Sequence, residues 1–326
     1  MGIGHWALGI GHGAWEEDKG KELLQFVFLS PCLTHSPLPK YQIKNNMKFH
    51  EHHIKALPYV PQPKYVVFTD FDETYLAHQN QEHHKSDRQE LEEYLLNQSY
   101  EKQIILGWVT GSSLTSVFSK INKYGLKVLP HFIASSLGTE LTYFNQKQYG
   151  EKDKQWENNL KETGFSEKLI NNLVSILKLD DIHLTPQPQI EDSRFLKNYY
   201  YHQQNKELDS QALLQIKNIA KKAGIAVNIS QCNPLCGDPE NCYDVDFTPA
   251  GTGKKDIVNF ILKHTNINYK NSIAFGESGN DIEMLQAVEH GYLVGNATSE
   301  AKKLHSRIEK NEYTKGILSV LKTLIK

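Results

Sequence analysis

The stretch that decides the fold is residues 65–74, which read YVVFTDFDET. Its first half is a short apolar run without alternation, which is typical of a strand buried on both faces. Asp70 and Asp72 follow where this run ends. Two neighbouring carboxylates repel each other unless a cation or a proton accompanies them, and Mg²⁺ is a natural partner. Taken alone, the pair is equally compatible with an acidic surface loop.

Further apolar runs extend this pattern along the chain. They predict strands at 104–110, 131–135, 272–276 and 292–294. Helical periodicity lies between them, at 87–97, 114–123, 255–264 and 281–289. Strands that alternate with helices predict an α/β fold with a Rossmann-like, doubly wound parallel sheet. Ligands of such sheets bind at the carboxyl ends of the strands, so the polar residues there are the candidates for function.

The pattern of predicted helices and strands changes between residues 152 and 245. Helical patterns at 156–178 and 208–223 mix with short strand patterns at 182–184, 199–201 and 225–229. This mixture predicts a separate α+β unit, inserted into a core domain that comprises residues 64–151 and 246–326.

Residues 1–63 differ from both units and are rich in proline and histidine. The short apolar run at 23–29 admits a secretory signal, but acidic residues precede it and no clean small-residue cleavage site follows. We therefore predict a poorly ordered extension.

Three more polar segments follow predicted strands or open predicted helices. Residues 110–113 read TGSS, and their hydroxyl and backbone N–H groups suit either an anion site or an ordinary helix cap. Residues 251–255 read GTGKK, which departs from the nucleotide-binding phosphate loop, but Lys254 can hold one phosphate as a point charge. Residues 276–281 read GESGND and suit either a Mg²⁺ site or a capped turn.

Composition narrows the classes of function. The chain has 326 residues, and its 36 Lys and Arg against 38 Asp and Glu leave no basic field for nucleic acid. No apolar stretch reaches the roughly 20 residues that a spanning helix needs, so we expect no membrane partner. The four cysteines do not make a disulfide scaffold, which indicates a cytoplasmic protein. Cys232, Cys236 and Cys242 admit a zinc site, but their spacing favours reduced thiols.

In this order, the strand-end motifs resemble those of the haloacid dehalogenase superfamily of phosphatases. The closing GESGND and the insert resemble the branch with a large α/β cap, which includes sucrose-phosphate and kanosamine-6-phosphate phosphatases. Residues 237–240 (GDPE) and 243–247 (YDVDF) bring the chain closer to the kanosamine type. Ser112 and Ser113 stand where sucrose-phosphate phosphatases usually carry Arg, and Glu277 replaces the usual Asp of the last motif.

The resemblance implies a Mg²⁺-dependent phosphatase that hydrolyses a small sugar phosphate through an aspartyl-phosphate. Asp70 is then the nucleophile, and Asp72 is the general acid and base. The implied phosphate-binding residues are Thr110, Gly111, Ser112, Lys254 and Asn280. The implied Mg²⁺ ligands are Asp70, Asp72 through its backbone carbonyl, Glu277 and Asp281. A phosphosugar mutase or transferase, or a weakly active sugar-phosphate-binding protein, remains the alternative.

Overall fold

The computed structural model describes residues 47–48, 54–79, 81–145, 149–188, 193–232 and 238–326. Up to residue 152 the elements are β1 (Met47–Lys48), β2 (Lys55–Ala56), β3 (Tyr65–Thr69), α1 (Glu82–Gln98), β4 (Ile104–Val109), α2 (Leu114–Tyr124), β5 (Val128–Leu129), β6 (Phe132–Ser135), β7 (Glu140–Phe144) and β8 (Tyr149–Lys152). The first three predicted strands are therefore present as β3, β4 and β6.

The inserted unit follows as a separate antiparallel sheet with helices. Its elements are α3 (Lys154–Glu162), α4 (Glu167–Leu179), β9 (Leu184–Pro186), β10 (Lys197–His202), α5 (Lys206–Lys222), β11 (Ile225–Gln231) and β12 (Cys242–Pro249). The strand order is β11-β12-β10-β9. Strand β12 pairs with β10 and β11 along its whole length, so the inserted sheet extends to Pro249, past the boundary predicted at 245.

The single helix predicted at 156–178 is wrong. The chain breaks between α3 and α4, where Gly164 has a φ of 72° and Ser166 caps the second helix through its side chain. A left-handed φ suits glycine and ends a helix, because other residues meet steric strain there.

The chain returns to the main sheet after Pro249. The remaining elements are α6 (Lys254–Thr265), β13 (Ser272–Gly276), α7 (Ile282–Gln286), β14 (His290–Leu293), α8 (Ser299–Leu304) and α9 (Tyr313–Leu324). The strand order of the main sheet is β1-β8-β7-β6-β4-β3-β13-β14. The pairs from β6 to β14 are parallel, and β7, β8 and β1 extend the sheet antiparallel. The predicted α/β fold with an inserted α+β unit is confirmed.

Both faces of the main sheet are covered by helices. Successive side chains of β3 point to opposite faces, so Val66 and Phe68 join one apolar cluster while Val67 joins the other. Helices α6 and α7 pack in the first cluster, and α1, α2 and α9 pack in the second. This double cover explains why the central strands read as continuous apolar runs.

The segment 54–63 differs from the poorly ordered extension predicted for it. Strand β2 pairs with β5, and the Leu57 N–H donates to the Leu129 carbonyl at 3.1 Å. Ile54, Leu57 and Val60 are buried, because the core supplies apolar surface that the isolated segment lacks. Residues 1–46 and 49–53 of the predicted extension lie outside the described residues, as does Cys236. Within the described ranges, no helix has the length and apolar composition needed to cross a bilayer.

Candidate active site

Two acids from neighbouring parallel strands meet one lysine at the carboxyl edge of the main sheet. Asp70 directly follows β3, and Asp281 lies in the turn between β13 and α7. Lys254, the first residue of α6, places its Nζ 2.6 Å from Asp70 Oδ1 and 2.6 Å from Asp281 Oδ1. All three side chains are at most 10% exposed. Residues far apart in sequence thus form one buried charged cluster.

Asp281 is held by the backbone of its own loop. Its Oδ2 accepts hydrogen bonds from the N–H groups of Glu277 at 2.9 Å and Ser278 at 3.0 Å. The close fit depends on Gly276, where an added Cβ would lie 2.3 Å from the Cβ of Asp281. The other oxygen, Oδ1, is directed to Lys254. The GESGND turn therefore positions one carboxylate rigidly beside Asp70.

The cluster carries more acid than base. Burial raises the pKa of Asp70 to about 6, against the opposing charge of Lys254. Burial and the charges of Asp281 and Asp70 raise the pKa of Glu277 to about 9. For Lys254, burial lowers the pKa, but the charges of Asp281 and Asp70 outweigh it and hold the pKa above its ordinary value. Three carboxyl groups share one ammonium, so the cluster favours a further cation.

The donor set fits a divalent metal. One oxygen each from Asp70, Glu277 and Asp281 lie within 4.8 Å of one another. Carboxylate oxygens are the ligands that a hard ion such as Mg²⁺ prefers. The Thr74 hydroxyl donates to Glu277 Oε2 and fixes the longest of these side chains. The predicted ligands Asp70, Glu277 and Asp281 are brought together; ligation by the Asp72 carbonyl stays a prediction.

Asp72 lies in a second group of contacts beside the first. Its carboxylate accepts from Lys120 Nζ at 2.7 and 2.8 Å and from Ser112 Oγ at 2.9 Å. His78 Nε2 lies 2.7 Å from Oδ1. Burial raises the pKa of Asp72, but the hydrogen bond from His78 and the charge of Lys120 outweigh it and hold the pKa at about 2. Asp72 is therefore ionised at neutral pH in this arrangement.

The predicted phosphate-binding residues are only partly assembled. Thr110 Oγ1 accepts from the Ser112 N–H at 3.1 Å, and Gly111 lies between them at the end of β4. Ser112 also contacts Asp72, so this segment borders the catalytic candidates. Asn280 is exposed, and its Oδ1 accepts from Ser278 Oγ at 2.9 Å, as expected of a turn residue. None of these contacts tests phosphate binding, which stays a prediction.

Sequence reasoning missed Thr74, His78 and Lys120. Lys120 lies two helical turns after the cap Ser113, on the face of α2 that carries the cap. This spacing could have indicated that Lys120 lies on the same side of the helix as the strand-end motif. Thr74 closes the decisive stretch, four residues after Asp70, but nothing in its neighbourhood pairs it with Glu277. The sequence around His78 carries no comparable signal.

The site combines an aspartate that follows a central strand, a buried lysine and an acidic loop after the neighbouring strand. With the inserted α+β unit, this arrangement is that of a capped hydrolase of the haloacid dehalogenase type. Residues 63–323 match the family model of sucrose-6F-phosphate phosphohydrolases, and the chain belongs to this family. It is 48% identical over 272 residues to kanosamine-6-phosphate phosphatase of Bacillus subtilis (strain 168), covering 83% of this chain and 96% of that relative.

Solved structures agree with this assignment. A haloacid dehalogenase-like hydrolase protein from Bacillus subtilis, at 48% identity, matches with a TM-score of 0.72 and covers 84% of this chain and 96% of that one. The sucrose-phosphatase of Synechocystis sp. PCC6803, solved with sucrose and phosphate, matches with a TM-score of 0.61. It is 18% identical, covers 80% of this chain and 98% of that one, and shows the shared fold alone. The predicted superfamily is confirmed, and the chain is a phosphoric monoester hydrolase.

Proposed function

We propose that the chain is a Mg²⁺-dependent phosphatase that hydrolyses a sugar phosphate of the kanosamine 6-phosphate kind, or another hexose or disaccharide 6-phosphate. One observation carries the proposal: Asp70 ends a central strand with Lys254 Nζ 2.6 Å from its carboxylate and Asp281 bound to the same ammonium. This arrangement gives a buried nucleophile with positive charge beside it. The relative named kanosamine-6-phosphate phosphatase supports the choice of substrate.

In the first step, an Asp70 carboxylate oxygen attacks phosphorus while the bond from phosphorus to the sugar oxygen breaks. Asp72 supplies the proton that the leaving oxygen takes up. Covalent catalysis divides one difficult displacement into two easier ones, and the product of this step is an aspartyl-phosphate on residue 70. Lys254 and the N–H groups of Gly111 and Ser112 stabilise the charge that grows on the phosphoryl oxygens.

In the second step, Asp72 takes a proton from water, and the resulting hydroxide attacks the aspartyl-phosphate. The bond between phosphorus and Asp70 breaks, inorganic phosphate leaves and the Asp70 carboxylate is restored. Asp72 is ionised by its contacts with Lys120 and His78, which suits a base. To act first as an acid it must take up a proton, so we expect these contacts to loosen when substrate enters.

Asp70, Glu277 and Asp281 are the residues that would hold Mg²⁺. When bound, the ion offsets the repulsion between an anionic nucleophile and an anionic substrate. Lys254 binds two of these acids, Asp70 and Asp281, and so fixes the positions of their carboxylates. We expect no nucleic-acid or membrane partner, and we propose that the enzyme acts in the cytoplasm.

The test replaces the nucleophile. Asp70→Asn keeps the size of the side chain but removes its charge, so we expect phosphate release from kanosamine 6-phosphate to fall at least about a thousandfold. Asp181→Asn, at a carboxyl that is 97% exposed, serves as the matched control and keeps full activity. Phosphate release is measured with and without chelator, and rapid acid quenching followed by peptide mass spectrometry locates the phosphoryl group.

The proposal requires a phosphoryl adduct on the peptide that contains Asp70 in the wild-type enzyme and none in Asp70→Asn. It also requires activity to vanish with chelator and return with Mg²⁺. Near-normal turnover by Asp70→Asn would exclude the nucleophile, and full activity under chelation would exclude the metal. Isomerised sugar phosphate without free phosphate would indicate a mutase.

A further inference from the structure

Strand pairing in the inserted sheet places two cysteines and a histidine side by side. His202 is paired with Cys242 in the register of β10 and β12. The Cys232 N–H donates to the Cys242 carbonyl at 3.1 Å, which extends the pairing of β11 with β12 by one residue. Side chains that face each other across neighbouring antiparallel strands lie on the same face of the sheet. The side chains of these three residues therefore share one face at this end of the sheet.

The two thiols also contact each other and their neighbours. Both cysteines are buried and free of disulfide bonds. Cys242 Sγ lies 3.0 Å from His202 Nδ1, and a side-chain hydrogen bond joins Cys242 to Cys232. Cys232 Sγ donates to Asp244 Oδ1 at 3.3 Å. The spacing of the cysteines in the sequence does not predict this cluster, because strand pairing is what brings the thiols together.

Two carboxylates border the Cys232 thiol. One oxygen each from Asp238 and Asp244 lie within 4.8 Å of Cys232 Sγ and of each other. Burial and the charge of Asp238 raise the pKa of Asp244, although the hydrogen bonds from Cys232 and Gln187 oppose the shift. In the part of the chain that the structure describes, no lysine or arginine contributes to this balance. Neighbouring acids without a counter-charge favour the binding of a cation.

Other side chains orient three of these four groups. Gln187 Nε2 donates to Asp244 Oδ1 at 2.8 Å, and Tyr200 OH donates to Asp238 Oδ1 at 3.1 Å. The His202 ring is the partner of the Cys242 thiol. Metal ligands in proteins are usually oriented by such outer hydrogen bonds, which prepare them for an ion. The cluster therefore has the layered arrangement of a metal site.

The chemistry of the donors indicates which metal fits. The catalytic cluster offers carboxylate oxygens, which suit a hard ion such as Mg²⁺. Sulfur donors select softer ions, and Zn²⁺ binds four ligands drawn from cysteine, histidine and acidic side chains. Negative neighbours oppose the loss of a thiol proton, and a divalent ion removes this opposition because it binds thiolate and carboxylate together.

We infer that Cys232, Cys242, Asp238 and Asp244 form a second metal site, separate from the catalytic cluster, for a soft divalent ion such as Zn²⁺. Gln187, Tyr200 and His202 are its positioning residues. The bound ion links the end of β11 to the start of β12 and to Asp238 in the segment between them. The inference does not depend on the phosphatase function proposed above.

The experiment uses Co²⁺ as a spectroscopic substitute for Zn²⁺ in the full-length chain, after treatment with chelator and a reductant that contains no thiol. Thiolate ligands give Co²⁺ an intense sulfur-to-cobalt charge-transfer band in the near ultraviolet, which carboxylates alone cannot give. We expect this band in the wild-type protein, and we expect excess Zn²⁺ to remove it. Cys232→Ser and Cys242→Ser should each reduce the intensity of the band at saturation, and the double variant should lose the band.

Asp244→Asn keeps both thiols, so the band should persist at saturation while the apparent affinity for Co²⁺ falls about tenfold or more. This variant preserves the size of the side chain and provides a test in which no cysteine is replaced. Asp181→Asn, at an exposed acid of the same unit, should keep the wild-type affinity. Glu277→Gln, in the catalytic cluster, should leave the band unchanged and so separates the two sites.

Three results would overturn the inference. The first is the absence of a sulfur-to-cobalt band from the wild-type protein. The second is a band that survives in the double variant of Cys232 and Cys242, or one that Glu277→Gln abolishes. The third is a disulfide between Cys232 and Cys242 in place of bound Zn²⁺ when the protein is purified without reductant, since the two thiols would then be a redox pair.

Discussion

Lys120 Nζ lies 2.7 Å from Oδ1 and 2.8 Å from Oδ2 of Asp72, so one ammonium group spans both oxygens of the proposed acid and base. The same lysine donates to Ser112 Oγ at 3.0 Å. It therefore ties the loop after β3 to the end of β4, where the transferring phosphoryl group is expected. A lysine in this place both orients Asp72 and holds its pKa low.

Replacing Lys120 by methionine should impair turnover and shift its pH dependence. Without the ammonium, the pKa of Asp72 rises and the carboxylate loses its orientation, so we expect kcat to fall about tenfold to a hundredfold. Asp72 must be ionised to act on water, and activity is lost as pH falls through its pKa. The acid limb of the kcat profile should therefore move to higher pH.

The matched control is Lys123→Met, which changes an exposed lysine on the same helix. Its kcat and pH profile should equal those of the wild-type enzyme. If Lys120→Met showed an unshifted acid limb, Lys120 would act only as a structural contact.

Glu277→Gln should weaken the metal site more than the fold. Glu277 brings one of three clustered carboxylates and is anchored by Thr74. Glutamine cannot ionise to give the ion a carboxylate, so the Mg²⁺ concentration for half-maximal activity should rise about tenfold or more. Glu283→Gln, at an exposed acid of α7, should change nothing. Titration of activity with Mg²⁺ and calorimetric measurement of Mg²⁺ binding test this prediction. Equal Mg²⁺ requirements in both variants would remove Glu277 from the ligand set.

The strand ends could be predicted because strands buried on both faces of a parallel sheet appear in the sequence as short apolar runs. The runs before Asp70, Thr110 and Gly276 are short and nearly continuous in apolar residues, and the structure buries every residue of β4 and β13. Their carboxyl ends meet at one edge of the sheet, which brings the motifs together. The contact between Asp70 and Lys254, separated by 184 residues, followed only from the resemblance to a known family.

The remaining features depend on tertiary partners that local sequence does not reveal. Strand β12 was not predicted, because Asp244 and Asp246 interrupt its apolar positions. The burial of Asp246 depends on hydrogen bonds from the side-chain amides of Asn198 and Asn228. Lys120 was missed because a lysine on an amphipathic helix is usually solvated. Strand β2 is two residues long and exists because β5 pairs with it.

Gly276→Ala and Gly279→Ala form a matched pair within one loop. A Cβ at Gly276 would lie 2.3 Å from Asp281 Cβ, whereas one at Gly279 meets nothing within 4 Å. We expect Gly276→Ala to displace Asp281, destabilise the protein by about 1–3 kcal/mol and reduce kcat about a hundredfold. Gly279→Ala should stay close to wild type in both respects. Phosphate release measures kcat, and chemical denaturation measures the free energy of unfolding. Equal activity of Gly276→Ala and Gly279→Ala would show that the loop tolerates displacement of Asp281.

His131 joins the segment after β2 to the sheet and makes stability depend on pH. The Leu106 N–H donates to its Nδ1 at 3.0 Å, so the ring is neutral with its proton on Nε2, 3.0 Å from the Pro58 carbonyl oxygen. Burial lowers the pKa of His131 to about 4, although the hydrogen bond to Pro58 opposes the shift. The folded state thus binds its proton less readily than the unfolded state does.

Because the pKa of His131 is lower in the folded state, neutral His131 stabilises the folded protein. This stabilisation is complete above the ordinary histidine pKa and is lost as pH falls toward 4. Linkage predicts a loss of about 2 kcal/mol in the free energy of unfolding between neutral pH and about pH 5. His131→Gln keeps one acceptor and one donor but does not titrate, so its unfolding free energy should fall less over this range. His183→Gln, at an exposed ring, should follow the wild-type curve. Urea denaturation at several pH values separates the three proteins, and parallel curves for His131→Gln and wild type would show that His131 is protonated equally in both states.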